Sequence, residues 1–362
     1  MVYAPAIALE AVTGLPKVGS VFAIGFVCTF YSTMGGLKAV LATDVFQALL
    51  MMSSLIIVFV GGWFQLDGLE NVLELSEDRL QLFDFNPDPT VRHTFWTQVI
   101  GATFVLLSMY AVNQAQIQRL LSTRTLKEAQ ISLWIQWPIH SAMMIMTGFA
   151  GLICYAYYKG CDPIKLERIG KGDQILPLFV MDTMSDYPGV VGLFISGILS
   201  GCLSTVSSAI NSLAAITMED YLKPFLSIKE SNETFLLKMV AMIYGLTCIL
   251  LTFIVEYLGP GILQASITIF GVVGGPILGL FSLGMMTTRA NEKGALTGFF
   301  SALVFLLWIG FGYPKPPAEP LPSFANRTNC GTDFNQTEVI TMENEVESET
   351  EYFFLYSISY SW

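Results

Sequence analysis

The most informative stretch of this chain is Ser200-Gly201-Cys202-Leu203-Ser204-Thr205-Val206-Ser207-Ser208-Ala209-Ile210-Asn211. It lies inside an apolar segment that runs from about Val190 to Ile216. A membrane-spanning helix needs about 20 mostly apolar residues, so this segment is long enough to cross a bilayer. We therefore predict a membrane helix here, and its polar residues mark the place where function is to be sought.

Small and polar residues recur at steps of four and three along this predicted helix. They are Gly197, Gly201, Ser204, Ser208, Asn211 and Ala215. At helical spacing they form one stripe, which we call the hydroxyl stripe. Hydroxyl groups gain nothing against lipid, so the stripe faces another helix or a hydrated cavity. Two interpretations are open from spacing alone: close helix packing through small residues, and a row of oxygen ligands suited to a hard cation such as sodium.

Composition places the whole chain in the membrane class. Hydrophobic residues make up 53% of its 362 residues, charged residues only 13%, and the mean hydropathy is +0.58. A soluble domain carries about 25% charged residues. The formal charge of −11 without a basic run argues against a nucleic-acid partner.

The sequence contains no motif that is typical of an enzyme or of a nucleotide-binding loop. The sequence has no Gly-x-x-x-x-Gly-Lys loop and no Cys-x-x-Cys pair, and His93 and His140 stand alone. No nucleophile and base, or metal-ligand set, is indicated by spacing. We expect a protein that is not an enzyme and that uses no cofactor.

Eight apolar segments are predicted to cross the bilayer, which gives an all-α, polytopic membrane helix bundle. Within residues 1–313 they are 18–34, 44–63, 95–118, 131–157, 189–216, 236–258, 262–286 and 295–313. The short connections carry the Lys and Arg residues, and basic short loops stay cytoplasmic. The long connections, 64–94, 158–188 and 314–362, are therefore predicted to lie outside.

The acidic stretch 314–362 is predicted to be an extracellular loop or tail. It contains acceptor sequons for N-glycans at Asn326 and Asn335, which agree with this orientation. Cys161 and Cys330 also fall in loops predicted to be outside, where a disulfide can form, but two cysteines give no spacing pattern. A multi-pass glycoprotein of the plasma membrane is expected.

Asp44 is an acidic residue at the predicted start of the second span. Inserting such a residue well into a bilayer costs about 2.5–3.5 kcal/mol, which makes it a functional candidate. The alternative is a helix cap, because Asp accepts hydrogen bonds from the free N–H groups of a first turn. The second and fifth spans both place this end at or near the cytoplasmic side, so Asp44 can reach the inner half of the hydroxyl stripe.

Amides and a base end the third predicted span, in Asn113-Gln114-Ala115-Gln116-Ile117-Gln118-Arg119. These side chains can snorkel and bond the last helix carbonyls, or they can form an inner gate that lines a water path. In the seventh span, Gly271, Gly274, Gly275, Pro276 and Gly279 are predicted to weaken the helix at membrane depth.

These motifs together resemble the sodium:solute symporter family. The resemblance is carried by residues 35–40 and 43–47, which read Gly-Gly-Leu-Lys-Ala-Val and Thr-Asp-Val-Phe-Gln, by the run that ends at Arg119, and by the hydroxyl stripe. Residues 85–97 and 217–224 are most similar to the branch of sodium-dependent multivitamin, monocarboxylate and iodide transporters, with the multivitamin type nearest.

The resemblance implies a five-plus-five inverted-repeat (LeuT-like) bundle with alternating access, and sodium as the coupling ion. Matched by position, the carbonyl of Gly201 and the hydroxyls of Ser204 and Thr205 are implied ligands of a shared sodium. A second ion site is implied at Asp44 with Ser207 and Ser208.

The substrate path is expected to follow polar and aromatic positions in the third and seventh spans. These candidates for a path or gate are Ser108, Met109, Tyr110, Gln114, Gln264 and Thr268. The sugar-transporting branch has an aromatic gate where this chain has residues 108–110, so a sugar is not the expected substrate.

Two functional interpretations are open from the sequence. The first is a sodium-coupled secondary symporter for a small organic anion, such as the vitamins biotin and pantothenate or a monocarboxylate. The second is a truncated, non-transporting membrane protein that binds partners or acts as a sensor. The second is weighed because both ends of the chain look truncated, and the first helices of the family, including a broken helix that supplies backbone ligands to sodium, are expected before Met1.

Overall fold

The computed structural model describes residues 2–80, 83–91, 93–159, 161–164, 166–170, 172–226, 228–255, 262–312 and 353–358. In this part of the chain every regular element is a helix. The chain divides into two compact units. The first unit comprises Met1–Leu80, Gln118–Lys159 and Pro163–Ile262, and the second comprises Gln81–Ile117, Gly160–Asp162 and Leu263–Trp362.

The α-helices of eight or more residues in the described ranges, together with one short helix after the second membrane helix and one near the end of the chain, are numbered in chain order. They are α1 (Tyr3–Thr13), α2 (Lys17–Gly36), α3 (Lys38–Gln65), α4 (Leu69–Leu75), α5 (Ala102–Ala111), α6 (Gln114–Leu121), α7 (Leu126–Tyr158), α8 (Ile175–Met184), α9 (Val190–Ile216), α10 (Glu230–Val255), α11 (Ile262–Met286), α12 (Glu292–Phe311) and α13 (Phe354–Ser357).

Seven of the described helices are long and apolar enough to cross a membrane. They are α2, α3, α7, α9 with its extension to Phe225, α10, α11 and α12. Large apolar side chains lie exposed along them, such as Phe26, Phe46 and Trp134. Exposed rings of this kind are stable against lipid but not against water. The predicted all-α, polytopic membrane bundle is confirmed.

The segment predicted to span the membrane over residues 95–118 is interrupted in the structure. A π-helical turn at Thr97–Gly101 leads into α5, and α6 begins separately at Gln114. Between them the Asn113 side chain accepts a hydrogen bond from the backbone N–H of Ala115 at 2.9 Å. Asn competes for backbone donors in this way, which favours a helix start over continuation.

Gly36 separates α2 from α3 and changes the assignment of Asp44. Its φ of 59° and ψ of −163° are accessible to glycine and strained for other residues. Because α3 begins at Lys38, Asp44 lies in the second turn of a helix. A capping residue must precede the first turn, so the capping interpretation of Asp44 is wrong.

The first unit is held together by the packing of α3 and α2 against α9. A cluster of small and branched apolar residues from α1, α2, α9 and α10 is buried here, including Ala6, Val21, Cys202 and Ala241. On the α3 side, Gly197 of α9 allows the backbone of α3 to come close. A Cβ atom at Gly197 would lie 2.6 Å from the carbonyl oxygen of Leu50 and would overlap the Ser54 side chain.

Gly197→Ala is expected to destabilise the protein by about 1–3 kcal/mol, because the added methyl group overpacks the contact between α3 and α9. Gly192→Ala is the matched control in the same helix. Gly192 is exposed and has open space where its Cβ would lie, so alanine there is neutral or stabilising by about 0.4–1 kcal/mol. Thermal unfolding of both variants in detergent tests this, and equal melting temperatures would contradict it.

In the second unit, α11 is one continuous helix with Pro276 inside it. The predicted weakening by glycine and proline therefore does not appear as a break. Gly274 instead gives room to a neighbouring side chain, since a Cβ there would lie 2.6 Å from Oγ of Ser108. Near the end of the chain, Trp308 of α12 contacts the rings of Phe353 and Tyr356.

The sequons at Asn326 and Asn335 lie outside the described residues, and so does Cys330. Cys161 is disulfide-bonded, while its pairing with Cys330 stays a prediction.

The orientation of the chain in the membrane also stays a prediction. We expect a glycan on Asn326 or Asn335 and none on Asn232, which lies near the start of α10 on a loop predicted to be cytoplasmic. Endoglycosidase treatment of single Asn→Gln variants tests this, and a glycan on Asn232 would reverse the topology.

Candidate functional site

Most polar side chains of α9 direct their protons back to their own helix. Ser207 and Ser208 both donate to the carbonyl of Ser204, at 3.1 and 2.8 Å, and Thr205 donates to the carbonyl of Gly201 at 3.0 Å. Ser207 and Ser208 are buried, whereas Thr205 is exposed. This pattern leaves lone pairs of the hydroxyl oxygens free to accept, as a cation or an external donor requires.

Ser204 departs from this pattern and reaches another helix. Its hydroxyl donates to Oδ1 of Asp44 at 2.6 Å. The side chain of Asp44 is 15% exposed. This hydrogen bond joins α3 to α9, and it agrees with the prediction that Asp44 reaches the hydroxyl stripe.

Arg119 of α6 completes this arrangement. Its Nη2 donates to Oδ2 of Asp44 at 2.5 Å, and the same nitrogen donates to Oγ of Ser208. The Arg119 side chain is 29% exposed, and its Nε is buried with no hydrogen-bond partner among the described residues. We call Asp44, Ser204, Ser208 and Arg119 the Asp44 cluster. All four belong to the first unit.

The position of Arg119 follows from local structure. The helix break at Asn113 starts α6 afresh, and the residue before the arginine anchors α6 to α9. Gln118 accepts a hydrogen bond from the hydroxyl of Ser212 at 3.1 Å. Ser212 lies one helical turn beyond Ser208, so the contact fixes α6 beside the part of α9 that carries the cluster.

A second polar contact supports α9 from α2. The hydroxyl of Tyr31 donates to the carbonyl of Leu203 at 2.8 Å, and Sγ of Cys28 lies 3.8 Å from the same oxygen. Nearby on α2 and α3, the buried oxygens of Ser32 and Gln47 have no hydrogen-bond partner among the described residues. Buried oxygens of this kind are unusual in an apolar bundle and mark this helix contact as polar.

The structure regroups the predicted ion ligands. Asp44 and Ser208, assigned to the second ion site, do lie together, but Arg119 contacts both. Ser204, assigned with Gly201 and Thr205 to the shared sodium site, joins Asp44 instead. Ser207 is fully buried and bonds to the Ser204 carbonyl. Thr205 is not part of the cluster.

The predicted path residues of the second unit have separate surroundings. Ser108 is buried, donates to the carbonyl of Val105 at 2.8 Å and packs on Gly274. Met109, Tyr110 and Thr268 are half-buried, and Gln114 is exposed. The side chain of Gln264 lies outside the described residues.

The oxygen atoms of the Asp44 cluster suit a hard cation when the Asp44 carboxylate is not paired with Arg119. One carboxylate and two hydroxyls supply oxygen atoms, the ligand type that such ions prefer. Across the ranges that the structure describes, no group of three or more His, Cys, Asp or Glu residues is placed to hold a metal.

The sequence places Arg119 in a candidate gate but does not indicate its ion pair with Asp44. The two residues are 75 positions apart, so no local spacing connects them. A weaker signal was present, because an ionisable residue inside a membrane normally pairs with another one, and Arg119 ends the neighbouring polar run.

Known proteins resemble this chain along its whole length. The profile of the sodium:solute symporter family matches residues 1–301. A Drosophila melanogaster protein named for sodium-dependent multivitamin transport is 45% identical over 100% of this chain and 61% of its own length. Human sodium-coupled monocarboxylate transporter 1 is 41% identical over 99% and 59%, and the human sodium/iodide cotransporter 43% over 90% and 52%.

Among solved structures, a Na+-coupled sialic acid symporter in a substrate-bound, outward-open state has a TM-score of 0.71 and 25% sequence identity, covering 85% of this chain and 64% of that one. The chain thus spans about 60% of the length of the first curated relatives that it matches. The sialic acid symporter has a LeuT-like fold, the fold that the sequence resemblance implies. The chain is a multi-pass membrane protein that belongs to the sodium:solute symporter family.

Proposed function

We propose that this chain forms part of a sodium-coupled symporter that takes up a small organic anion. The substrate class is a carboxylate-bearing vitamin such as biotin or pantothenate, or a monocarboxylate. Sodium is the coupling ion, and no other cofactor takes part. The protein works in the plasma membrane and acts as a transporter rather than an enzyme.

The observation that carries this proposal is the hydrogen bond between Ser204 and Asp44. It joins an acid inside a membrane helix to the hydroxyl stripe of α9. An acid at membrane depth is retained at a cost of a few kcal/mol, and pairing with hydroxyl oxygens is the arrangement that a transported cation can use. Close packing alone would be served by alanine or glycine at Ser204.

The substrate class rests on the relatives rather than on geometry. Proteins named for multivitamin, monocarboxylate and iodide transport are each more than 40% identical to this chain. The vitamins and monocarboxylates named here carry a carboxylate, and iodide is also a monoanion. A single negative charge is thus the property that these substrates share, and co-transport of sodium offsets it.

A non-transporting membrane protein is not favoured, because relatives named for transport match nearly the whole of this chain.

An uptake assay in cells that express the protein tests the proposal. It compares labelled biotin, pantothenate, lactate and iodide, each in sodium and in choline medium. We expect uptake of at least one anion to depend on sodium. Equal uptake of all four in choline medium would overturn the proposal.

A further inference from the structure

In the Asp44 cluster, the position that a coupling cation would take is already filled by a cation of the protein itself. The carboxylate of Asp44 is bonded on Oδ1 by Ser204 and on Oδ2 by Arg119, and the oxygen of Ser208 accepts from the same guanidinium nitrogen. Asp44 and Arg119 carry opposite unit charges. The cluster is therefore neutral as it stands.

A sodium ion at the same oxygens would lie beside the guanidinium of Arg119. Arg119 already bonds to Oδ2 of Asp44 and to Oγ of Ser208, and its positive charge repels a second cation at contact distance. The repulsion is weakly screened, since both side chains are more than two-thirds buried. Sodium and Arg119 are thus alternatives at one site.

Arg119 is held at this site through one end of its side chain. It lies on α6, a short helix of eight residues that begins afresh at Asn113. Its Nε forms no hydrogen bond in the described part of the chain, so only the end of the guanidinium is anchored by Asp44 and Ser208. The side chain is long, its exposed fraction is 29%, and arginines near a membrane edge extend readily towards water.

We propose that Arg119 is an internal competitor of sodium at the Asp44 cluster, and this inference rests on the proposed sodium-coupled function. When sodium binds, the guanidinium leaves Asp44 and Ser208. When sodium departs, Arg119 returns and neutralises the acid. The exchange keeps Asp44 from standing charged and unpaired in the membrane, and it sets the sodium concentration at which the site fills.

The test measures sodium binding rather than transport. The purified full chain is titrated with sodium at constant ionic strength, with choline as the replacing cation, and its melting temperature is followed. A bound ion stabilises the folded state in proportion to its saturation. Arg119→Gln removes the competing charge, so the half-saturating sodium concentration should fall by about fivefold or more, which is the effect of one unit charge about 4 Å away even in water.

Two further variants keep the result decisive. Arg119→Lys retains a positive charge if the neutral variant fails to fold, but it loses the planar fork that holds Asp44 and Ser208, so a smaller fall is expected. Arg124→Gln is the matched control, because Arg124 is an exposed arginine that follows α6 in the chain. Its half-saturating concentration should equal that of the unmodified protein.

Each outcome has one meaning. An unchanged or higher half-saturating concentration in Arg119→Gln and Arg119→Lys overturns the competitor role, while a sodium response in the unmodified protein leaves the proposed function standing. A response that appears only after Arg119 is replaced supports the competitor role. Absence of any sodium response in all variants overturns the proposed function and the competitor role together.

Discussion

Asp44→Asn is expected to reduce sodium-stimulated uptake by at least about tenfold. The substitution keeps the size of the side chain and removes the charge that offsets a cation in a site of low dielectric constant. It also leaves Arg119 without its counter-charge. Because Arg119 is 29% exposed, the resulting loss of stability should be limited to about 1–3 kcal/mol.

Uptake against sodium concentration and surface abundance are to be measured in the same cells. Asp220→Asn is the control for loss of an acidic charge, since Asp220 is exposed in the turn that follows α9. The double variant Asp44→Asn with Arg119→Gln should recover abundance but not sodium dependence. Normal abundance with an unchanged sodium curve in Asp44→Asn would remove Asp44 from the ion site.

Ser204→Ala is expected to raise the half-saturating sodium concentration by about tenfold. The serine hydroxyl donates to Oδ1 of Asp44 at 2.6 Å and orients the carboxylate. A hydrogen bond to a charged group contributes about 1.5–3 kcal/mol, and about 1.4 kcal/mol corresponds to a factor of ten. Ser196→Ala is the matched control, because Ser196 donates within α9 to the carbonyl of Leu193 at 2.7 Å.

Thr205→Ala separates two assignments of the ion ligands. The family resemblance places Thr205 with Ser204 on one shared sodium, whereas the structure has the Thr205 hydroxyl on an exposed face and bonded to Gly201. If the two alanine variants shift the sodium curve equally, both hydroxyls serve one ion. A shift in Ser204→Ala alone assigns the dependence to the Asp44 cluster, and no shift in either variant contradicts the sodium role of the stripe.

The membrane class of this molecule follows from its amino-acid sequence alone. Apolar segments of bilayer length can be stable only as helices, because every backbone polar group must be satisfied within the segment. The period of α9 likewise determined which residues share a helix face, as Ser204 and Ser208 do. Motifs of a few adjacent residues, such as those around Asp44, were enough to indicate the family because their spacing lies within single helices.

The positions where helices break or continue depend on local hydrogen bonds and packing that the sequence pattern does not show. Asn113 had an apolar run before it and amides after it, and whether the helix continued depended on the bond between its side chain and the N–H of Ala115. Gly36 made a break possible without requiring one. Pro276 and its glycines suggested a break, yet α11 continues through them where Ser108 packs on Gly274.

The binding partners of Asp44 are set by the packing of distant helices. Arg119 and Ser204 are 75 and 160 residues away from it in the chain, and both converge on its two carboxylate oxygens. Helical periodicity places residues on a face but not opposite a partner, and the energy of an ion pair depends on distances of a few ångströms. The charge of this site, and therefore its competition with sodium, follows from how α3, α6 and α9 pack together.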